Sequence, residues 1–208
     1  METKYLSECE NTYIEAGKVL RNGGIVAFAT DTVYGLGAIY TDREAVRKIF
    51  EAKGRDEGKP LSILVSDATQ AELLVEEVPE DAEKLMKAFW PGALTIILKK
   101  NNTVPDEVAA GGSTVGIRMP ANAAARAIIS QAGAPLAAPS ANTSGKRSSV
   151  TAGDVREDLD GRIDMLVDGG ECKVGISSTV LDMSGPEMKI LRNGTVTREM
   201  IEKVLADD

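Results

Sequence analysis

Gly23 to Ser66 reads GGIVAFATDTVYGLGAIYTDREAVRKIFEAKGRDEGKPLSILVS, and the order of residue types in it decides the fold class. The apolar run Ile25 to Ala29 (IVAFA) has the length of a buried strand and ends in the small polar turn Thr30-Asp31-Thr32. A glycine-rich segment follows. Asp42 is placed to cap a helix whose apolar face is Ala45, Val46, Ile49 and Phe50, with Lys53 at its C-terminal end. The loop Gly54 to Lys59 (GRDEGK) leads into a second strand, Leu61 to Val65. Hydroxyls and cations therefore collect where elements end, which in an open α/β sheet is where ligands bind. The stretch reads as a site for a small polar substrate and a polyphosphate.

Working outward, Tyr13, Ala16, Gly17 and Leu20 fall on one face of a helix over Asn11 to Arg21, stopped by Asn22-Gly23-Gly24. Downstream, helices are predicted at Asp67 to Glu76 and Pro79 to Phe89, and a strand at Leu94 to Leu98 after the breaker Trp90-Pro91-Gly92. A short strand Val115 to Arg118, an alanine-rich helix Asn122 to Ala132 and a strand Leu136 to Ala138 come next. Past a Ser/Gly/Lys/Arg loop, Thr151 to Leu159 reads as a helix and Met165 to Val167 as a strand. A hairpin, Ser178 to Leu181 with Lys189 to Arg192, and a helix Thr197 to Leu205 close the chain. Strands and helices intermix, so the expected class is α/β (or α+β) with one mixed sheet. With no repeat, low-complexity tract or linker, residues 1–208 read as a single domain with its core over about 10–196.

Composition narrows the chemistry. The formal net charge of −8 and an aromatic content of 4% argue against a generic nucleic-acid surface and against base stacking. Cys9 and Cys172 are too far apart in sequence for a CxxC site, no apolar run is long enough to span a membrane, and the N-terminus lacks a signal core, all of which suits a cytoplasmic setting. The chain contains no histidine, which removes Ser-His-Asp and Cys-His schemes. Any reaction must rely on carboxylates, Lys, Arg, hydroxyls, backbone amides or a metal held by oxygen.

Neither familiar phosphate cradle is present. Gly35-Leu36-Gly37 lacks the third glycine of a dinucleotide fingerprint, since position 40 is Tyr, and GRDEGK is one residue short of a Walker A spacing and runs into Pro60. Lys53, Arg55 and Lys59 are either a solvated mixed-charge loop or a clamp for phosphate oxygens. Thr32, Arg118, the cluster Ser140, Asn142 and Ser144, the run Ser177-Ser178-Thr179, and Arg192 each read equally as ordinary turn or surface residues. Their recurrence at strand ends points to one shared rim.

The segments TDTVYGLGA, KGRDEGKPL, FWPGALTIIL, TVGIRMP, PLAAPSANTSG and SSTV followed by ILRNG resemble, in that order, the YrdC/Sua5 family of threonylcarbamoyl-AMP synthases. The resemblance implies a twisted open α/β sheet around a large concave cavity. It implies condensation of L-threonine, bicarbonate and ATP into L-threonylcarbamoyladenylate with release of pyrophosphate, the first step toward threonylcarbamoylation of tRNA adenosine 37. It places Thr32, Arg118, Ala138 and Ser178 on threonine, and Arg55, Lys59, Thr114, Ser140, Ser148 and Arg192 on ATP, with Lys53, Arg55 and Lys59 neutralising the triphosphate together with Mg²⁺. No protein ligand for a metal is implied. The partners implied are tRNA or double-stranded RNA and the downstream threonylcarbamoyl transferase complex.

The sequence departs from the family pattern at Ala29 and Asp56, where proline is common, and at Leu64, where some members carry histidine. It also ends without the C-terminal domain of longer members, so a short form is expected. Two rival readings remain: a non-catalytic RNA-binding or ribosome-associated protein on the same scaffold, and a paralogue that adenylates a different carbamate or carboxylate.

Overall fold

The computed structural model describes residues 2–206. The chain opens with β1 (Lys4–Ser7) and α1 (Glu10–Arg21), and the apolar run after Gly24 forms β2 (Val26–Phe28). β3 (Gly35–Ile39), α2 (Arg43–Lys53) and β4 (Ser62–Leu64) complete the opening stretch. Next come α3 (Glu80–Phe89), β5 (Leu94–Lys99), the single turn α4 (Asp106–Ala109), β6 (Thr114–Arg118), α5 (Ala123–Ala132) and β7 (Leu136–Ala137). α6 (Ala152–Leu159), β8 (Met165–Asp168), the hairpin of β9 (Thr179–Asp182) and β10 (Lys189–Arg192), and α7 (Arg198–Ala206) follow.

Local chemistry sets the helix ends. The Asp42 carboxylate accepts from the Ala45 N–H at 3.0 Å, and the Asn122 side chain does the same for Ala125 at 2.9 Å. Thr151 and Asp154 close a reciprocal capping box at the start of α6. α2 stops at Gly54, whose φ of 58° is left-handed and suits a residue without Cβ.

The strands form one mixed sheet in the order β1-β8-β2-β3-β7-β4-β6-β5-β9-β10. β1/β8, β8/β2, β4/β6 and β5/β9 pair in parallel, and the remaining neighbours are antiparallel. This is the expected α/β class, with four local differences. β1 has no apolar alternation because three of its four residues are exposed. β3 is hidden from propensity by Gly35 and Gly37; a Cβ on Gly37 would stand 2.9 Å from the Phe28 ring, so the hairpin with β2 requires the glycine. α4 is too short to leave a period.

The fourth difference is the helix expected at Asp67 to Glu76, which is a single 3₁₀ turn, Ala68–Ala71. Tertiary hydrogen bonds capture the residues beyond that turn. Asn101 Nδ2 donates to the Leu73 and Val75 carbonyls at 3.0 and 3.2 Å, and Val75 bridges to Lys100, which together draw the chain away from a helical path while Leu74 is buried.

Two apolar clusters lie on the two faces of the sheet. One gathers α2, α3 and α6 with Ile63, Ile96, Ile117 and Leu181 of the central strands. The other packs α1 and α5 over β2, β7 and β8 through Leu20, Ile128, Ile129, Phe28, Leu136 and Met165. On this second face the helices stop short of β6, β5, β9 and β10, and the bare strands become the floor of a cavity.

α1 and α5 approach closely enough that a Cβ on Gly17 would sit 2.6 Å from the Gln131 backbone. Alanine is favoured over glycine by about 1 kcal/mol in a helix interior, so propensity alone expects Gly17→Ala to stabilise. The contact reverses the sign: urea unfolding of Gly17→Ala is expected to show a loss of about 1–3 kcal/mol, the usual cost of overpacking. A variant as stable as the parent would mean that the two helices can separate freely.

Candidate active site

Alternate residues on neighbouring strands share a face. Ser62 and Leu64 of β4, Thr95 and Ile97 of β5, Gly116 and Arg118 of β6, and Ser178 and Val180 around β9 line a cavity of about 310 Å³. Pairing aligns them in rows: Ser62, Gly116 and Ile97; Leu64 beside Arg118; Thr95, Val180 and Arg192. The wall is completed by the turn after β2, by Arg55 and Pro60, by Ala138 to Ser140 after β7, and by Ser148 and Ser177.

The turn after β2 is held by its own hydroxyl. Thr30 Oγ1 donates to the Val33 carbonyl at 2.6 Å and accepts from the N–H groups of Thr32 and Val33. Since its one proton goes to Val33, the 3.0 Å contact between the two hydroxyls is donated by Thr32. Thr32 Oγ1 also accepts from Arg118 Nη1 at 2.7 Å. One lone pair remains on Thr32, so toward a ligand it is an acceptor suited to an N–H.

Arg118 is 6% exposed. Its Nε donates to the Gly92 carbonyl at 2.8 Å, its Nη1 to Thr32, and its Nη2 to Asp31 Oδ1 at 2.6 Å. One N–H on each terminal nitrogen is left, the number a carboxylate takes. Burial pulls this guanidinium down from its usual value and Asp31 opposes that pull.

The other two arginines are differently placed. Arg192 lies along Ser178, donating from Nε to its carbonyl at 2.9 Å and from Nη2 to its hydroxyl at 3.1 Å, while that hydroxyl meets Thr95 Oγ1 at 2.7 Å. Arg55 spends one N–H on the Pro60 carbonyl at 3.0 Å, and its buried Nε has no hydrogen-bond partner among the described residues. Neither arginine pairs with a carboxylate among those residues, and burial lowers both guanidiniums from their usual value. The like charge of Arg192 adds to the downward pull on Arg118, while Asp56 opposes the pull on Arg55.

Of the residues expected at the site, Thr32, Arg55, Arg118, Ala138, Ser140, Ser148, Ser178 and Arg192 line this one cavity. Lys59 is exposed beside Pro60, and Thr114 is half-buried at the start of β6 opposite Lys99; neither is among the lining residues. Lys53, expected beside the triphosphate, lies beneath the cavity at 1% exposure with its ammonium on the Ser140 and Asn142 carbonyls, and its own carbonyl accepts from the Ser144 N–H at 2.8 Å. It fastens the turn that carries Ser140 rather than facing the cavity.

Ser62, Thr95, Gly116 and Val180 escape a reading centred on strand ends, since they sit within or at the start of strands. The available signal was Thr95 as the one polar residue inside LTIIL, and Gly116 inside TVGIR. Leu64, the position of the family histidine, presents an aliphatic group next to Arg118.

No group of three or more acidic, cysteine or histidine side chains able to hold a metal occurs among the described residues, and no carboxylate lines the cavity. The lining does not fit a resident divalent ion. Among the described residues no helix is long and apolar enough to cross a membrane.

A model of the Sua5/YciO/YrdC family, described as telomere recombination, matches residues 18–194. The threonylcarbamoyl-AMP synthase of Bacillus subtilis is 48% identical over 204 residues, covering 98% of this chain and 59% of that protein. The threonylcarbamoyl-AMP synthase of Halorhodospira halophila is 33% identical over 154 residues, covering 74% of this chain and 81% of that one. The crystal structure of Pyrococcus abyssi Sua5 complexed with L-threonine superposes with a TM-score of 0.95 at 44% identity, covering 99% of this chain and 61% of that chain. The chain thus spans about three-fifths of the length of the B. subtilis and P. abyssi proteins.

The buried ammonium has a pH signature. Desolvation, with Arg55 adding to it, pushes the Lys53 ammonium from its ordinary 10.5 down to about 8. The unfolded chain therefore holds this proton through a window, about pH 8 to 10.5, in which the folded chain has released it, and stability rises with pH across that window. Lys53→Met, which cannot titrate, lacks the rise. Urea midpoints of the parent and Lys53→Met should diverge in the parent's favour between about pH 7.5 and pH 10; parallel profiles would show that Lys53 keeps an ordinary proton affinity.

Proposed function

The chain belongs to the Sua5/YciO/YrdC family, and from that premise we propose that it makes L-threonylcarbamoyladenylate and pyrophosphate from L-threonine, bicarbonate and ATP. The observation that carries this reading is the unequal pairing of the cavity's arginines. Arg55 and Arg192 form no ion pair among the described residues and suit a polyphosphate, whereas Arg118 is paired with Asp31 and suits the single carboxylate of a zwitterionic amino acid.

The lining contains hydroxyls, arginines and backbone groups, with no carboxylate, lysine or cysteine. Such a site has no evident general base or nucleophile, and the proposed reaction needs neither. The threonine amine condenses with bicarbonate to a carbamate and water. A carbamate oxygen then attacks the α-phosphorus, and the bond to the bridging oxygen breaks as pyrophosphate leaves. The protein's part is to hold the two reactants in line and to stabilise charge on the triphosphate.

In this scheme Arg118 grips the threonine carboxylate, and Thr32 accepts from the threonine nitrogen, which keeps one N–H when it becomes the carbamate. Ala138 and Ser178 complete that subsite. Arg55 and Arg192, with Ser140 and Ser148, take the nucleotide and its magnesium; Lys59 and Thr114 contribute from outside the lining. Placing the product in tRNA threonylcarbamoylation, with a transferase complex and tRNA as downstream partners, extends the same reading.

The test is incubation with ATP, Mg²⁺, bicarbonate and L-threonine, with mass detection of the adenylate and omission of each component in turn. Product forming equally without threonine would overturn the proposal. Arg55→Ala is expected to lower turnover on the order of 10²- to 10³-fold, the usual effect of losing one charge-stabilising donor. Lys59→Ala, acting from an exposed position, is expected to cost less than Arg55→Ala.

A further inference from the structure

The guanidinium of Arg118 is ion-paired with a residue outside the cavity lining. Asp31 sits in the turn after β2, between Thr30 and Thr32, which both line the cavity while Asp31 does not. Its Oδ1 accepts from Arg118 Nη2 at 2.6 Å and from the Ala121 N–H at 2.9 Å. The side chains of the ion pair are 7% and 15% exposed. A guanidinium so buried is costly unless its charge is matched and its N–H groups are engaged. The Gly92 carbonyl and Thr32 hydroxyl engage two of those groups, but only Asp31 supplies the opposite charge.

We propose that Asp31 is a positioning residue for the amino-acid half of the cavity, fixing the plane of the Arg118 guanidinium so that its two remaining N–H groups face the substrate carboxylate. This rests on the threonine chemistry proposed above and names the group that organises it. Three attachments set the plane: Gly92 after α3, Thr32 in the turn after β2, and Asp31, itself tied to Ala121 just before α5. With Nε spent on Gly92, side-on pairing through Nε is closed to a ligand carboxylate, and the terminal nitrogens alone can receive it. The plane in which those nitrogens lie thereby decides whether the carboxylate is gripped.

The proposal is tested by calorimetric titration of L-threonine, of L-threoninamide and of ATP into the parent protein, Asp31→Asn and Asp31→Glu. Asp31→Asn is nearly isosteric but removes the charge. It is expected to weaken L-threonine binding by about 10- to 100-fold, the scale on which small misplacements of a binding group are felt. ATP affinity should stay within about threefold, and affinity for L-threoninamide, which has no carboxylate to lose, should not change. Asp31→Glu restores the charge and should recover part of the loss.

Asp31→Asn that binds L-threonine like the parent, or that loses L-threonine and L-threoninamide alike, overturns the proposal. The second result would mark a general structural role. If Asp31→Asn does not fold, Asp31→Glu carries the test: it must weaken L-threonine while sparing ATP and L-threoninamide. A parent protein that does not bind L-threonine would instead overturn the functional reading itself, which separates the two failures.

Discussion

A guanidinium enclosed at the centre of a sheet is the constraint around which the site is built. Removing a cation from water costs several kcal/mol even after relaxation, and Arg118 meets that cost only by drawing in partners from distant parts of the chain. The Gly92 carbonyl, the Thr32 hydroxyl and the Asp31 carboxylate come from segments 26 to 87 residues away in sequence. Satisfying one buried charge therefore aligns the turn after β2, the end of the α3 segment and β6. The same bonds that make the arrangement stable leave two N–H groups free.

The sheet makes this possible by being covered unevenly. α1 and α5 pack over one part of a face, and the small residues at their crossing let them sit close. The uncovered strands then present Ser62, Thr95, Gly116 and Arg118 where apolar side chains would otherwise be needed. The opposite face of the same strands carries Ile63, Ile96 and Ile117 into the core. Period-two alternation thus makes one set of strands both structural and functional.

The cavity's arginines are partnered unequally. Arg118 is ion-paired with Asp31, while Arg55 and Arg192 have no ion-pair partner among the described residues. Lys53, which contributes nothing to the lining, holds the carbonyls of Ser140 and Asn142 and so shapes the wall from behind. A cation near a phosphate site need not face the phosphate. Here the lysine adds to the backbone bonds of the Pro139 to Ser144 turn, among them the Asn142 N–H to the Ser140 carbonyl at 3.1 Å and the Ala141 N–H to the Tyr34 carbonyl at 2.8 Å.

Much was legible in the sequence: the apolar run of β2, the Asp42 cap, the helical face of α2, the hydroxyls and cations at strand ends, and the ordered motifs that mark the family. These are local or linear properties, set by the spacing of side chains along one element. What only the tertiary structure decided is which side of each strand faces the cavity, that Ser62, Thr95 and Gly116 belong to the site, that Lys53 does not face it, and that Asp31 stands behind Arg118. Each of these depends on pairing between segments far apart in sequence. A carboxylate in a turn and an arginine at a strand end carry no sign of each other until the sheet brings them to 2.6 Å, because a side chain's partner is fixed by the register and burial of other strands and not by its own neighbours.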